Sequence, residues 1–223
     1  MNDEKCPLFP DEVRRLISEH RIFSGGRRHR ELVGELLPEG AVWIDIVVPL
    51  SDVYAQYRHY DEPVLVFASG DPLFFGFTTT LMREFEGRVT KTFPSFSSLQ
   101  MLAHALRLPY HDMRVVSLTG RPWHEFDRAL IERAHKVGVL TDRKNTPAII
   151  AKRMLDYGYT AYRMYIGVLL GGEREETYSL PLEEVVTKDF AHPNCLIIEA
   201  VEPQPYDAPL GLKELDFFPL NGR

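Results

Sequence analysis

Cysteine is scarce: the 223 residues hold only Cys6 and Cys195. They lie far apart and in no metal-ligand spacing, which excludes a disulfide scaffold and fits a reducing compartment. No apolar run reaches the length of a membrane span, and no signal peptide opens the chain. The expectation is a soluble cytoplasmic protein with no membrane partner. Basic charge is also short. Acids outnumber bases 32 to 26 and leave a formal charge of −6, which argues against nucleic acid as partner, since phosphate binding wants a basic face. The eight histidines form no HExxH pattern and no cluster with cysteine or carboxylate, so no metal site is assigned. GxGxxG, GxxxxGK[ST] and GxSxG are all missing, and several familiar enzyme classes lose their support.

What is present is an ordinary globular balance, 44% hydrophobic and 26% charged, enough for a sizeable core. Strand-like runs RIFS (21–24), AVWIDI (41–46), VLVFAS (64–69) and RVTKTF (88–93) alternate with helical patterns at 10–20, 27–37, 51–59 and 72–86. Such alternation predicts an α/β fold with a mostly parallel sheet covered on both faces. VLVFAS has no polar alternation, as a strand buried on both sides requires. After LPYHDM a second set begins. MRVVSLTG and KVGVLTD read as strands around a helix at 123–134, and NTPAIIAKRMLDYG carries complete helix signals: Asn145 or Thr146 as cap, Pro147 in the first turn, Gly158 at the stop. YRMYIGVLL, EETYSLP and CLIIEAV follow as strands with short links, so the second sheet is expected to be mixed. The division is an N-terminal unit at 1–107, a C-terminal unit at 108–201 and a proline-rich linker and tail at 202–223.

Chemistry-bearing residue types gather in the loops after strands. In SGDPLFFG, Gly70 lets the backbone turn and a ligand approach. Asp71 can cap the next helix with Pro72 at its first position. A capped helix alone explains this loop; a ligand loop with Phe74 and Phe75 as an apolar wall also does, because ligands in open α/β sheets gather at strand carboxyl ends. PSFSS and LTDRKNTP have the same geometry and the same two readings. SGGRRH sets Arg27, Arg28 and His29 at a helix start. Arginine there opposes the macrodipole unless something negative lies nearby. SLTGRPWH repeats the theme with Arg121 and His124; its Trp123 is more often core than ligand platform.

In this order, SGGRRH, ASGDPLFFG, PSFSSLQ, VVSLTGR and LTDRKNTP resemble the tetrapyrrole methylase family, in its branch that methylates C5 of a precorrin in cobalamin biosynthesis. The resemblance spans residues 8–201. It implies two α/β domains with a cleft between them, S-adenosylmethionine as methyl donor, a precorrin tetrapyrrole as acceptor, and a homodimer. Motif by motif it places donor contacts at Ser69, Gly70, Asp71 and Phe74, at Ser97 and Ser98, at Leu140 and Thr141, and at Leu170. The acceptor carries many carboxylates, which gives Arg27, Arg28 and Arg121 a purpose, since arginine grips carboxylates in bidentate fashion. His29 and His124 are candidates on the acceptor side for assisting proton loss. Methyl transfer from a sulfonium needs no dedicated nucleophile, so no catalytic residue is assigned.

The rival readings are a related methylase acting on a diphthamide precursor or ribosomal RNA, and a non-catalytic tetrapyrrole- or nucleotide-binding module. The acidic balance counts against RNA. Two departures accompany the resemblance. Relatives open with an apolar strand and a glycine loop, whereas this chain begins MNDEKCPLFPDEV. The expectation is therefore a natural start further upstream or a shortened chain, with an open edge beside VLVFAS or its neighbour. At the other end, the tail is expected to lead to a fused or separate decarboxylating, C15-methylating module.

Overall fold

The structure is a computed structural model, and it describes residues 7–201. The polar head and the tail after Val201, with the module expected beyond it, lie outside the described residues. The first sheet has three parallel strands, β1 (Ile22–Gly25), β2 (Val42–Asp45) and β3 (Val64–Val66), in the order β2-β1-β3. Helices α1 (Asp11–Glu19) and α2 (Arg27–Val33) cover one face, where Val13, Ile17 and Val33 meet Phe23 and Phe67. Helices α3 (Leu50–His59) and α4 (Phe77–Glu84) cover the other, where Val53, Tyr54, Tyr57 and Leu81 meet Ile22 and Ile44. Central β1 is buried along its whole length. Its one hydroxyl, on Ser24, donates to the Ile44 carbonyl at 2.7 Å or shares a proton with Tyr57 Oη at 2.6 Å, so this buried hydroxyl is not stranded.

The second sheet is mixed, as the short links predict. Its strands are β4 (Arg114–Ser117), β5 (Lys136–Leu140), β6 (Tyr162–Val168), β7 (Glu176–Pro181) and β8 (Asn194–Ala200), ordered β4-β5-β8-β6-β7. Only β4 and β5 pair in parallel; β8 runs antiparallel between β5 and β6. On one face lie α6 (His124–Ile131), α7 (Pro147–Asp156) and α8 (Leu182–Val185), over the largest core. On the other lies α5 (Ser98–Leu106). The sequence division at 107 puts α5 in the first unit, but its Leu99, Leu102 and Ala103 bury against Cys195 and Ile197 of the second sheet.

Two expectations are corrected. RVTKTF forms no strand among the described residues, and VLVFAS is a strand only over its first three residues. Both follow from one fact about pairing. The Phe67 N–H donates to the Ser24 carbonyl at 2.7 Å, and Val64 to Val66 register with Ile22 to Ser24. Alternate residues of a strand bond to opposite sides, so Val64 and Val66 turn their backbone groups away from β1. Opposite them, Val89–Phe93 make no backbone hydrogen bond to any described residue. Between lies a groove of about 660 Å³, lined by β3, Val89–Phe93 and the Pro7–Pro10 segment. An extended segment with no neighbour in bonding reach cannot register as a strand. Among the described residues, no helix is long and apolar enough to cross a membrane.

This edge has a direct readout. In hydrogen exchange, the Phe67 amide should be protected and the Val64 and Val66 amides should exchange at least about a hundredfold faster. Equal protection at all three would mean that the outer side of β3 is paired.

Candidate functional site

The carboxyl ends of both sheets point at one cavity of about 480 Å³. On the first side, β1 runs into Gly25–Gly26 and α2. The Gly26 N–H donates to His29 Nδ1 at 3.1 Å, and His29 Nε2 lies 2.9 Å from Ser69 Oγ. An amide can only donate, so Nδ1 is the acceptor and the neutral ring carries its proton on Nε2, donating to Ser69. Burial, then the charge of Arg28, lowers the His29 pKa to about 4. The ring is therefore neutral through the physiological range. Its cap on α2 explains how a helix beginning Arg27-Arg28 is tolerated.

The turn after β3 departs from the expected helix cap. Asp71 Oδ1 accepts the Leu73 N–H at 2.8 Å, and the Phe74 N–H donates to the Asp71 carbonyl at 3.1 Å. Asp71 and Pro72 therefore hold a tight turn, and α4 starts later, with Gly76 at its cap. The turn closes so tightly that a Cβ at Gly76 would lie 2.4 Å from the Pro72 carbonyl oxygen. Gly70 has φ +60°, and a Cβ there would meet Ser97 Cα at 3.4 Å. This brings the turn against the start of α5.

On the second side, Ser97 caps α5. Its Oγ accepts the Gln100 N–H at 3.2 Å, and Gln100 Oε1 accepts the Ser97 N–H at 2.9 Å. Burial pushes the Cys195 thiol up to about 12 against a hydrogen bond with Ser98, so the thiol is inert. Thr141 Oγ1 donates to Asn194, at 2.5 Å from its carbonyl and 2.8 Å from Oδ1. Asp142 accepts the N–H groups of Gly120 (2.9 Å), Lys144 (2.8 Å) and Asn145 (2.7 Å), and so ties the loops after β4 and β5 together. Thr146 and Pro147 start α7 as expected, with Thr146 accepting the Ile149 N–H.

Ser69, Gly70, Asp71, Phe74, Ser97, Ser98, Leu140, Thr141 and Leu170 all line this cavity, and so do Arg28 and His29. Arg27 does not: its side chain is 91% exposed and pairs with Glu31 at 3.5 Å. His124, the exposed first residue of α6, is not in the lining either. Arg121 sits at the rim, its guanidinium 5.3 Å from the Phe75 ring across the cleft. Sequence reasoning missed Met101, Thr119 and the run His192–Cys195. The last has only a Pro-Asn break before a strand as its signal, and a break of that kind marks any loop.

The model of the family described as Tetrapyrrole (Corrin/Porphyrin) Methylases matches residues 10–186. The chain belongs to the tetrapyrrole methylase family. Among curated relatives, it is 34% identical over 167 residues to a precorrin-6Y C(5,15)-methyltransferase [decarboxylating] from Sinorhizobium sp., which covers 74% of this chain and 40% of the relative. It is 32% identical over 166 residues to a cobalt-precorrin-7 C(5)-methyltransferase from Salmonella typhimurium, covering 73% and 78%. The chain thus spans less than half of the first relative's length. Solved structures share the fold. A precorrin-6Y methylase from Archaeoglobus fulgidus superposes with a TM-score of 0.63 at 18% identity, over 89% of this chain and 95% of that one. A uroporphyrin-III C-methyl transferase from Thermus thermophilus, complexed with S-adenosyl homocysteine, gives 0.65 at 21% over 90% of each.

Asp142 provides a pH test of the loop ties. Desolvation pulls its carboxyl up, but the N–H groups of Gly120, Asn145 and Lys144 outweigh it and hold it below the usual range. Its stabilisation is therefore complete above the unfolded value near pH 4 and is lost as pH falls through the folded one. Asp142→Asn should lower Tm at pH 7, and the gap to the unaltered chain should narrow below about pH 4. A gap that stays constant on acidification would show that the carboxylate is not what holds the loops.

Proposed function

We propose that this methylase transfers a methyl group from S-adenosylmethionine to C5 of a precorrin-7-type macrocycle in cobalamin biosynthesis. The observation that carries the reading is the gathering of residues from the SGDP turn, the start of α5, the end of β5 and Leu170 around one cavity. Its chemistry suits the donor. Met101, Leu140, Gly167 and Leu170 give an apolar floor for a nucleoside base, while Ser69, Asp71 and the backbone at Gly70 give a polar rim for the ribose and amino-acid tail. The named relatives support the choice of acceptor.

The bound donor supplies an electrophilic methyl on a sulfonium, which an electron-rich ring carbon can displace in line. The chain's own contribution is to orient the two molecules and exclude water. Ser69 is held by His29, so its hydroxyl proton is turned away from the imidazole and is available to a ligand. His29 itself has one ring nitrogen accepting from Gly26 and the other donating to Ser69. It can take up a proton only by giving up the cap on α2. We therefore assign it to positioning Ser69 rather than to proton removal. Arg28 on the wall and Arg121 on the rim are the cations placed to meet acceptor carboxylates. The reading gives this chain the C5 transfer alone; C15 methylation with decarboxylation falls to a second module, fused or separate. The family resemblance supports a cytoplasmic homodimer.

Incubation with methyl-labelled S-adenosylmethionine and precorrin-7 or its cobalt form should label the macrocycle at C5. Label on no tetrapyrrole, with the chain folded, would overturn the reading. Gly70→Ala should weaken S-adenosyl homocysteine binding in calorimetry by tenfold or more. A left-handed alanine costs about 1–2 kcal/mol, and at φ +60° the turn must shift to relieve it. Unchanged affinity would move the donor away from this turn.

A further inference from the structure

Phe75 of the SGDPLFFG turn lines the cavity too, at its mouth, in a conformation that the donor alone does not explain. It is an aromatic residue at φ +56°, in the left-handed region that side chains rarely adopt. It is also 38% exposed at the cleft mouth rather than folded into a core. The turn around it is close-set: a Cβ at the next residue, Gly76, would lie 2.4 Å from the Pro72 carbonyl oxygen. Strain of this kind persists where the surroundings dictate it, and it gathers at ligand sites. The result of the strain is visible. The ring stands edge-to-face with Phe74 at 5.2 Å, and the Arg121 guanidinium lies over it, 5.3 Å from its centre.

Arg121 is equally specific in its placement. Both N–H groups of Nη1 are engaged, with Ser117 Oγ at 3.0 Å and the Thr119 carbonyl at 3.3 Å. The Nε–H and Nη2–H edge, the fork that grips a carboxylate, has no partner among the described residues. An anchored fork thus stands beside an exposed ring, one from each sheet's loops, at the mouth of the cavity.

We infer that Phe75 is the specificity-determining platform for the acceptor, stacking on a face of its conjugated macrocycle while the open fork of Arg121 takes one of its carboxylates. This rests on the proposed function for the identity of the acceptor. A flat, polarisable ring edged with carboxylates is the ligand that uses both groups at once. Aromatic faces stack on such rings whatever their substitution pattern, and the cation then sets which edge is presented.

The test uses Phe75→Asn, since asparagine tolerates the left-handed region, and Phe75→Leu, which keeps apolar bulk without a ring. In steady-state methylation of cobalt-precorrin-7, both should raise the acceptor KM by about 5- to 10-fold. They should leave kcat and S-adenosyl homocysteine affinity within twofold, and Phe75→Asn should not lower Tm. Phe75→Tyr, which restores the ring, should restore KM. An unchanged acceptor KM in Phe75→Asn would overturn the inference, as would a parallel loss of donor-product affinity, which would place the ring in the donor site. Should the unaltered chain fail to methylate this acceptor, the functional reading fails separately. Fluorescence titration with coproporphyrin III, another carboxylated macrocycle, then decides the platform: weaker binding to Phe75→Asn supports it, and equal binding or none to the unaltered chain overturns it.

Discussion

Everything at the cleft depends on one backbone approach, that of Gly70 against the start of α5. The turn after β3 belongs to the first sheet, and α5 is packed on the second through Leu99, Leu102 and Ala103. Gly70 turns at φ +60°, a left-handed conformation that glycine adopts without strain, and the turn lies in contact range of Ser97 Cα and the Phe96 carbonyl oxygen. That turn brings the two loops together, and the carboxyl ends of both sheets share a single hollow. Space is tighter on the cavity floor. A Cβ at Gly167 would lie 2.7 Å from Leu170 Cδ1, so that glycine lets Leu170 fold over β6 and form part of the floor.

The polar groups of the site are largely committed to holding this shape. Ser97 caps α5, Thr141 grips Asn194, Asp142 ties two loops, and His29 caps α2 while orienting Ser69. Such satisfied groups are rigid, and rigidity is what a reaction limited by orientation requires of its protein. Chemistry that needs neither a nucleophile nor a resident charge relay leaves its polar residues free to serve as scaffold. His29 and Cys195 are displaced mainly by burial, the one downward and the other upward.

Much of the architecture was legible because local signals agreed. The parallel first sheet followed from strand-helix alternation, and α7 from its Thr146 cap and Pro147. The mixed second sheet followed from the short links before EETYSLP and CLIIEAV. What sequence could not supply was pairing at a distance. RVTKTF is rich in strand-forming residues, yet becomes a strand only if a neighbour bonds to it, and across the groove β3 does not. Asp71-Pro72 carries the signature of a helix start, but the closeness of Gly76 to Pro72 delays the helix by one tight turn. In the site, the loops that line the cavity could be picked out because each follows a strand and carries glycine, serine or aspartate, although these residues serve equally as turn formers and helix caps. His192–Cys195 were not, since an ordinary loop and a cavity wall look alike until the chain is folded. The roles of Arg27 and Arg28 separate only in space, one toward solvent and the other toward the cleft.

The central claim is that the hollow between Gly70 and Leu170 is where the methyl donor binds. A crystal structure of the chain soaked with S-adenosyl homocysteine tests it most directly. The account predicts density for the nucleoside over Leu140, Gly167 and Leu170, with the amino-acid tail reaching the Ser69–Asp71 turn. Density confined to the groove beside β3, or a fully occupied ligand elsewhere with this hollow empty, would contradict it.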